Sequence, residues 1–243
     1  MCELCAAKAG EPRIARRNFL RLAGVAAGLA IAPRAFAKET KTPPKPENVL
    51  SPDAALDRLM NGNTRYIDGL TKRHDFKHER EALSKGQNPF AAVLSCADSR
   101  IAPELCFDTA RGDVFVCRVA GNFADEEIIA SFEYAVSVLN TPLILVLGHE
   151  ACGAVDATIK SIKDGTTLPG HLPALVHALT PAVQAAQQQP GDLLANAIRD
   201  NVAMNVDRLK TTAPILQAAV DDKKLRVVGG IYELKTGRVE LLS

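Results

Sequence analysis

The sequence predicts an α/β protein with a mainly parallel central sheet, flanking helices and an N-terminal helical arm. Short apolar runs typical of buried strands occur at 90–94 and 143–147, and segments with helical periodicity lie between and after them. Strands that alternate with helices are typical of parallel sheets with helical crossovers. The chain has 243 residues and is 47% hydrophobic, so it is long enough to bury a substantial core.

The predicted elements begin with a helix after Ser51. Ser51 is a helix-capping residue, Pro52 suits the first helical position, and an apolar face continues through Leu56 and Leu59 to Gly62 or beyond. Further along the chain we expect one helix from Asp125 towards Leu139 and another through 198–209. Strands are expected at 90–94, 114–117 and 143–147. Two terminal strands are expected at 225–228 and 239–242, and one possible arrangement of these two is a hairpin.

Residues 1–37 have the pattern of an export signal. Basic residues precede an uncharged apolar stretch at 22–32, and residues 35–37 (AFA) form a small-x-small cleavage site. The pair Arg16-Arg17, followed by Asn, Phe and Leu, resembles a twin-arginine signal. We therefore expect the twin-arginine translocation machinery as a partner and a periplasmic or otherwise exported protein after cleavage. A general secretory signal and an N-terminal anchor helix are the alternatives.

The rest of the chain divides into a linker and one domain. Residues 38–50 contain three prolines and predict an extended linker, and residues 51–243 predict a single catalytic domain. The whole chain has a formal net charge of +1, which excludes a generally basic nucleic-acid binder. No apolar run reaches the roughly 18 to 20 residues that cross a bilayer, so no integral membrane span is expected.

Two cysteines and one histidine follow predicted strands. Cys96 comes after the strand at 90–94, and His149 and Cys152 come after the strand at 143–147. Parallel sheets place their sites at the carboxyl ends of strands, and Zn²⁺ accepts thiolate sulfur and imidazole nitrogen. Spacing alone nevertheless favours buried core residues over a metal site, because cysteine is commonly buried without any ligand.

The residues around these candidate ligands form several distinctive motifs, which are 95–100 (SCADSR), 112–122 (GDVFVCRVAGN), 132–136 (FEYAV), 148–155 (GHEACGAV) and the pair Gly86-Gln87. These motifs resemble those of the β-class carbonic anhydrases. The resemblance covers about residues 51 to 243 and implies a β-carbonic anhydrase fold.

The resemblance implies a zinc enzyme. Cys96, His149 and Cys152 correspond to the ligands of one Zn²⁺ per subunit, and the implied reaction is reversible hydration of CO2 to bicarbonate and a proton through a zinc-bound hydroxide. Zinc lowers the pKa of a bound water towards neutrality, as it does in the carbonic anhydrases that use three histidine ligands. Asp98 corresponds to a carboxylate that either pairs with Arg100 and leaves the zinc open or binds the zinc and closes it. Some bacterial members have a regulatory Trp where this chain has Val93, so we expect the open form.

The same resemblance assigns a substrate pocket and an assembly. Gln87 corresponds to a hydrogen-bond donor to substrate, Phe115 and Tyr134 to apolar walls for CO2, and Gly153 to a position where a backbone N–H approaches bicarbonate. Members of the family form homodimers or larger homo-oligomers in which an N-terminal helix embraces the partner. Gln87 and Tyr134 are therefore expected to act across subunits.

Two other functions remain open at this stage. Hydrolysis of carbonyl sulfide or carbon disulfide uses the same fold and ligands. A noncatalytic zinc-binding or redox module of the envelope is the second alternative, although a purely structural site has no need of the Asp98–Arg100 pair. Cys106 and Cys117 have apolar neighbours and are predicted to fill the core, with a disulfide between them left open. Cys2 and Cys5 would leave with the signal.

Overall fold

The computed structural model describes residues 50–242. The predicted signal and all of the linker except Leu50 lie outside the described residues, as do Cys2 and Cys5. Within the described residues the helices are α1 (Pro52–Ile67), α2 (Phe76–Leu83), α3 (Pro103–Cys106), α4 (Glu126–Ser137), α5 (Gly153–Asp164), α6 (Leu172–Ala186), α7 (Leu193–Thr211) and α8 (Ile215–Asp221). The strands are β1 (Ala91–Ser95), β2 (Val114–Arg118), β3 (Leu143–His149), β4 (Arg226–Tyr232) and β5 (Val239–Leu241).

The strands form one mixed sheet in the order β2-β1-β3-β4-β5. The first four pair in parallel, and β5 joins β4 as an antiparallel hairpin. This arrangement confirms the predicted α/β class with a mainly parallel sheet. The central strands β1 and β3 are buried along their whole length, which explains their continuous apolar sequences.

Alternate residues of the central strands face two separate hydrophobic clusters. Ala92 and Leu94 of β1 lie in a large cluster with residues of α4, α5, α6, α7 and α8. Val93 lies in a second cluster on the other face, together with Leu56 and Leu59 of α1 and residues of α3. The N-terminal helix of the domain is thus anchored on the sheet of its own chain.

The two predicted capping residues, Ser51 and Asp125, make the expected side-chain hydrogen bonds at the starts of α1 and α4. The Ser51 hydroxyl accepts a hydrogen bond from the amide of Ala54 at 3.2 Å, and the Asp125 carboxylate accepts one from the amide of Ile128 at 2.9 Å. The predicted helix ends were less accurate. Helix α4 ends at Ser137, two residues before Leu139, because Asn140 adopts a left-handed conformation with φ of 54° and turns the chain towards β3.

Three helices of the structure, α3, α6 and α8, were not predicted from the sequence. Helix α6 contains Pro181 within it, and α3 and α8 are only 4 and 7 residues long, so none carries a long uninterrupted helical pattern. Among residues 50–242, no helix combines the length and the apolar character that a membrane span requires.

Asp108 joins three segments on the side of the sheet that carries α1. Its carboxylate accepts hydrogen bonds from Arg65 Nε at 2.5 Å and from the backbone amide of Lys72 at 2.8 Å. Burial alone would raise the pKa of the Asp108 carboxyl, but the hydrogen bonds from Arg65 and Lys72 outweigh burial and hold that pKa below its usual range. The charged form of Asp108 therefore stabilises the fold.

The substitution Asp108→Asn removes this charge while keeping an amide oxygen for Lys72. We expect the free energy of unfolding at pH 7 to fall by about 2 kcal/mol, which is typical of a hydrogen bond to a charged group. Because the folded pKa lies below the unfolded one, the difference from the parent is fully present above about pH 4 and shrinks as the pH falls through the folded pKa. Urea unfolding of the parent and the variant at several pH values measures this difference in the free energy of unfolding.

The exposed pair Asp222–Lys224 provides the control, since we expect Asp222→Asn to change the free energy of unfolding little at any pH. A loss for Asp108→Asn that does not change with pH would contradict the role of the charge.

Candidate metal centre

The candidate ligands come together because β1 and β3 are neighbouring parallel strands. Ser95 at the end of β1 is paired with Leu147 of β3, so Cys96 and His149 emerge at the same edge of the sheet. Cys152 follows three residues later as the N-cap of α5. The sulfur atoms of Cys96 and Cys152 and a ring nitrogen of His149 all lie within 4.8 Å of one another, and all three residues are buried.

The geometry of His149 presents its free nitrogen to the two sulfur atoms. Nδ1 lies 2.8 Å from the carbonyl oxygen of Glu150, which can only accept, so Nδ1 carries the proton and donates. Nε2 then has a free lone pair, and it is buried without a hydrogen-bond partner in the described part of the chain. A buried nitrogen without a partner is costly unless a ligand completes its coordination. This nitrogen and two thiols are a donor set that fits Zn²⁺.

The two thiols strongly affect each other's ionisation. A hydrogen bond from the Cys152 thiol lowers the pKa of Cys96, whereas the pKa of Cys152 is raised because its sulfur would ionise beside the Cys96 thiolate and in a buried position. Cys152 stands at the N-terminus of α5, where the helix dipole favours negative charge. A bound cation removes the repulsion between the sulfur atoms, and metal binding therefore favours two thiolates.

Asp98 and Arg100 form the pair expected from the sequence. Arg100 Nε and its backbone amide both donate to Asp98 Oδ1 at 2.9 Å, and Arg100 Nη2 donates to Asp98 Oδ2 at 2.7 Å. The same Nη2 donates to the carbonyl oxygen of Ala151 at 3.3 Å. Hydrogen bonds from Arg100 hold the pKa of the Asp98 carboxyl well below its usual range.

This pair lies directly beside the candidate ligands. Asp98 Oδ2 is 3.9 Å from Nε2 of His149, which is too far for a hydrogen bond. Within residues 50–242, the hydrogen bonds to this carboxylate all come from Arg100. Arg100 therefore occupies the oxygen atoms that would otherwise be free to approach the cluster.

Arg118 was not among the predicted site residues, although its side chain holds the loop that carries Cys96 and Asp98. Its guanidinium donates to the carbonyl oxygens of Cys96 at 3.0 Å, Asp98 at 2.8 Å and Ile101 at 2.8 Å. A planar guanidinium with several donors suits three carbonyls of one loop. One signal for this role is present in the sequence, since Arg118 is a charged residue at the end of an otherwise apolar strand.

Comparison with known proteins identifies the family. The carbonic anhydrase family model matches residues 91–239. Carbonic anhydrase 2 of Mycobacterium tuberculosis is 36% identical over 192 residues, which cover 79% of this chain and 93% of that protein. The carbonic anhydrase of Mycolicibacterium smegmatis is 38% identical over 198 residues, covering 79% of this chain and 94% of that protein. The chain belongs to the β-carbonic anhydrase family.

Solved structures agree with this assignment. The β-carbonic anhydrase CcaA superimposes with a TM-score of 0.60 at 28% identity, covering 77% of this chain and 95% of that one. Two tetrameric β-carbonic anhydrases of Sordaria macrospora share the fold, with a TM-score of 0.61 at 24% identity and coverage of 77% of this chain and 96% of theirs. The predicted enzyme class, carbonic anhydrase, is confirmed.

The four residues that the resemblance assigned to a substrate pocket lie at different distances from the cluster. Gly153 is the first residue of α5, directly after Cys152, and among the described residues no heavy atom beyond its chain neighbours and its own helix backbone lies within 4 Å of a Cβ built there. Phe115 and Tyr134 contact each other, with ring centroids 6.4 Å apart, and Tyr134 is 46% exposed. Phe115 is opposite Ala92, four residues before Cys96, which is about 13 Å along the strand direction. Gln87 is exposed in the segment before β1.

Cys106 and Cys117 are free, and the disulfide that the sequence left open is absent. They belong to the clusters on opposite faces of the sheet, so the sheet separates their side chains. Burial raises the pKa of both thiols, which keeps them protonated. Both are core residues, as predicted.

The four buried cysteines offer matched substitutions for testing the metal site. We expect Cys96→Ser and Cys152→Ser to lower zinc affinity by more than about 100-fold, since each removes a ligand, and loss of a residue that only orients a ligand already costs about 10- to 100-fold. Cys106→Ser and Cys117→Ser should keep stoichiometric zinc, although they alter equally buried thiols. Metal competition titrations measure the affinities. Equal zinc loss in all four variants would contradict the assignment of the site.

Proposed function

We propose that this protein hydrates CO2 reversibly to bicarbonate and a proton, with one Zn²⁺ per subunit held by Cys96, His149 and Cys152. Two thiolates and a neutral imidazole neutralise the charge of the ion, and three protein ligands are the number that catalytic zinc sites use. Zinc bound there would supply the Lewis acidity that makes a water molecule nucleophilic near neutral pH. The observation that carries the proposal is the Asp98–Arg100 pair beside this three-ligand cluster.

The roles of the chain's own residues follow from their contacts. Arg100 fixes both oxygens of Asp98 and reaches Ala151, so it ties the loop after β1 to the loop after β3. Asp98 is thereby held as a charged hydrogen-bond acceptor at the edge of the site instead of acting as a ligand. The open space at Gly153 leaves room for substrate next to Cys152.

We propose that the apolar walls of the CO2 pocket come from a second subunit. Phe115 is too far along β2 to line the cluster of its own chain, and Tyr134 is largely exposed beside it. Among the described residues, β2 forms the edge of the sheet and pairs on one side alone. A homodimer, or a larger homo-oligomer built from it, would cover this edge and bring Phe115, Tyr134 and Gln87 to the partner's metal site.

The test is stopped-flow CO2 hydration together with zinc analysis of the purified protein and its Arg100→Leu variant. The parent should hydrate CO2 with stoichiometric zinc, and Arg100→Leu should be about 10- to 100-fold slower because Asp98 is released towards the cluster. Arg199→Leu is the matched control, since Arg199 is about as exposed as Arg100 and pairs with Glu240, which is not one of the candidate ligands. It should leave the rate unchanged. Stoichiometric zinc without hydration at alkaline pH would overturn the proposed function.

We further propose that residues 1–37 direct export by the twin-arginine route and that the enzyme acts in the periplasm or another exported location. Support comes from the Arg16-Arg17 motif, the apolar stretch after it and the cleavage pattern at 35–37. Replacing both arginines by lysine keeps the charge and should retain active enzyme in the cytoplasm. Cell fractionation with an activity assay measures this. Unchanged export of the double-lysine variant would contradict a twin-arginine signal.

A further inference from the structure

The loop at 119–124 supplies none of the candidate ligands, yet it contacts one of them. The backbone amide of Gly121 donates a hydrogen bond to Sγ of Cys96 at 3.3 Å. Gly121 has φ of +86°, and a Cβ there would come within 2.8 Å of Leu179 Cδ1. The amide reaches the sulfur through a backbone conformation that favours glycine.

Two buried asparagines on α7 hold this loop. Asn201 and Asn205 are four residues apart, on one face of the helix, and are only 3% and 7% exposed. Their neighbours on that helix, Ile198, Val202 and Val206, are apolar core residues. Carboxamides in such surroundings are costly unless their hydrogen bonds are made.

The side-chain hydrogen bonds of the two asparagines hold the loop at two points, Gly121 and Ala124. Asn201 Nδ2 donates to the carbonyl oxygen of Gly121 at 2.8 Å, and Asn205 Oδ1 accepts from the amide of Ala124 at 2.7 Å. Asn205 Nδ2 also donates to the backbone oxygen of Asn201 at 2.7 Å and to its Oδ1 at 3.1 Å. Asn205 thus orients the carboxamide of Asn201 so that its donor faces Gly121.

We propose that Asn201 and Asn205 are positioning residues of the metal centre, which hold the 119–124 loop so that the Gly121 amide donates to the Cys96 sulfur. This inference rests on the proposed metal site. A hydrogen bond to a thiolate draws charge from the sulfur and reduces its donation to a bound metal, so outer-shell partners of this kind tune the ion. The asparagines act through Gly121 and themselves lie outside the ligand set.

A structural role alone is the competing explanation, and Asn63 provides the control for it. Asn63 is 2% exposed and makes three comparable bonds, from Nδ2 to the carbonyl oxygens of Cys106 and Gly237 and from the amide of Val239 to Oδ1. It lies with α1 and β5, and none of its bonds reaches a candidate ligand. Removing either Asn63 or Asn201 costs buried hydrogen bonds, but only Asn201 is linked to Cys96.

The experiment uses the full chain loaded with Co²⁺, whose sulfur-to-metal charge-transfer band reports the electron donation by the thiolates. Asn201→Ser should move this band to longer wavelength, because a sulfur that loses its hydrogen bond donates more readily. Asn63→Ser should leave the band in place while lowering the thermal midpoint to a similar extent. Asn205→Ser, which leaves Asn201 present but less well oriented, should give a smaller shift in the same direction and serves if Asn201→Ser does not fold.

The outcomes separate this inference from the proposed function. If the parent binds Co²⁺ and the Asn201→Ser or Asn205→Ser band does not move, or if Asn63→Ser moves it equally, the positioning role is overturned and the metal site stands. A parent that binds no Co²⁺ contradicts the metal site itself. A shift in the Asn201 and Asn205 variants alone supports the positioning role.

Discussion

The parallel register between β1 and β3 is the constraint on which the site depends. It sets Ser95 against Leu147, and therefore places Cys96 beside the end of the strand that carries His149. A shift of one residue in this pairing would turn every side chain of one strand to the other hydrophobic cluster. The two clusters therefore fix the register through many apolar contacts. The stability of the sheet and the position of the candidate ligands have the same physical origin.

The strands bring the ligand loops together, but separate interactions fix the conformation of each loop. Arg118 binds three carbonyls of the loop after β1, and Arg100 connects that loop to Ala151 in the loop after β3. Ala151 has φ of 49°, an uncommon conformation for alanine that the surrounding contacts must hold. Most of these bonds come from arginine, whose donors are charged and stronger than neutral ones. The two loops that carry the candidate ligands are thus held by residues of the same chain.

The sequence predicted the elements that have strong local patterns. Ser51 and Asp125 cap helices because a capping bond spans only three residues, and the strands at 90–94 and 143–147 are apolar because both of their faces are buried. The ligand set was predicted from the resemblance of its flanking residues to a family, since spacing alone favoured a core role. Asn201 and Asn205 were not predicted, because their partners lie about 80 residues earlier in the chain and local patterns carry no information on such contacts.

The edge of the sheet formed by β2 is relevant to both the stability and the proposed function of the protein. An edge strand with unpaired backbone groups is a liability unless something covers it. In the part of the chain that the structure describes, β2 forms one edge of the sheet, and the aromatic pair Phe115 and Tyr134 lies there, with Val138 of α4's C-terminus 57% exposed. Phe115 lies opposite Ala92, about 13 Å along the strand direction from Cys96 of its own chain. In the proposed dimer, a second copy of the chain on this edge would bury these apolar side chains and supply the apolar surface that CO2 requires, so that assembly and catalysis would both depend on one interface.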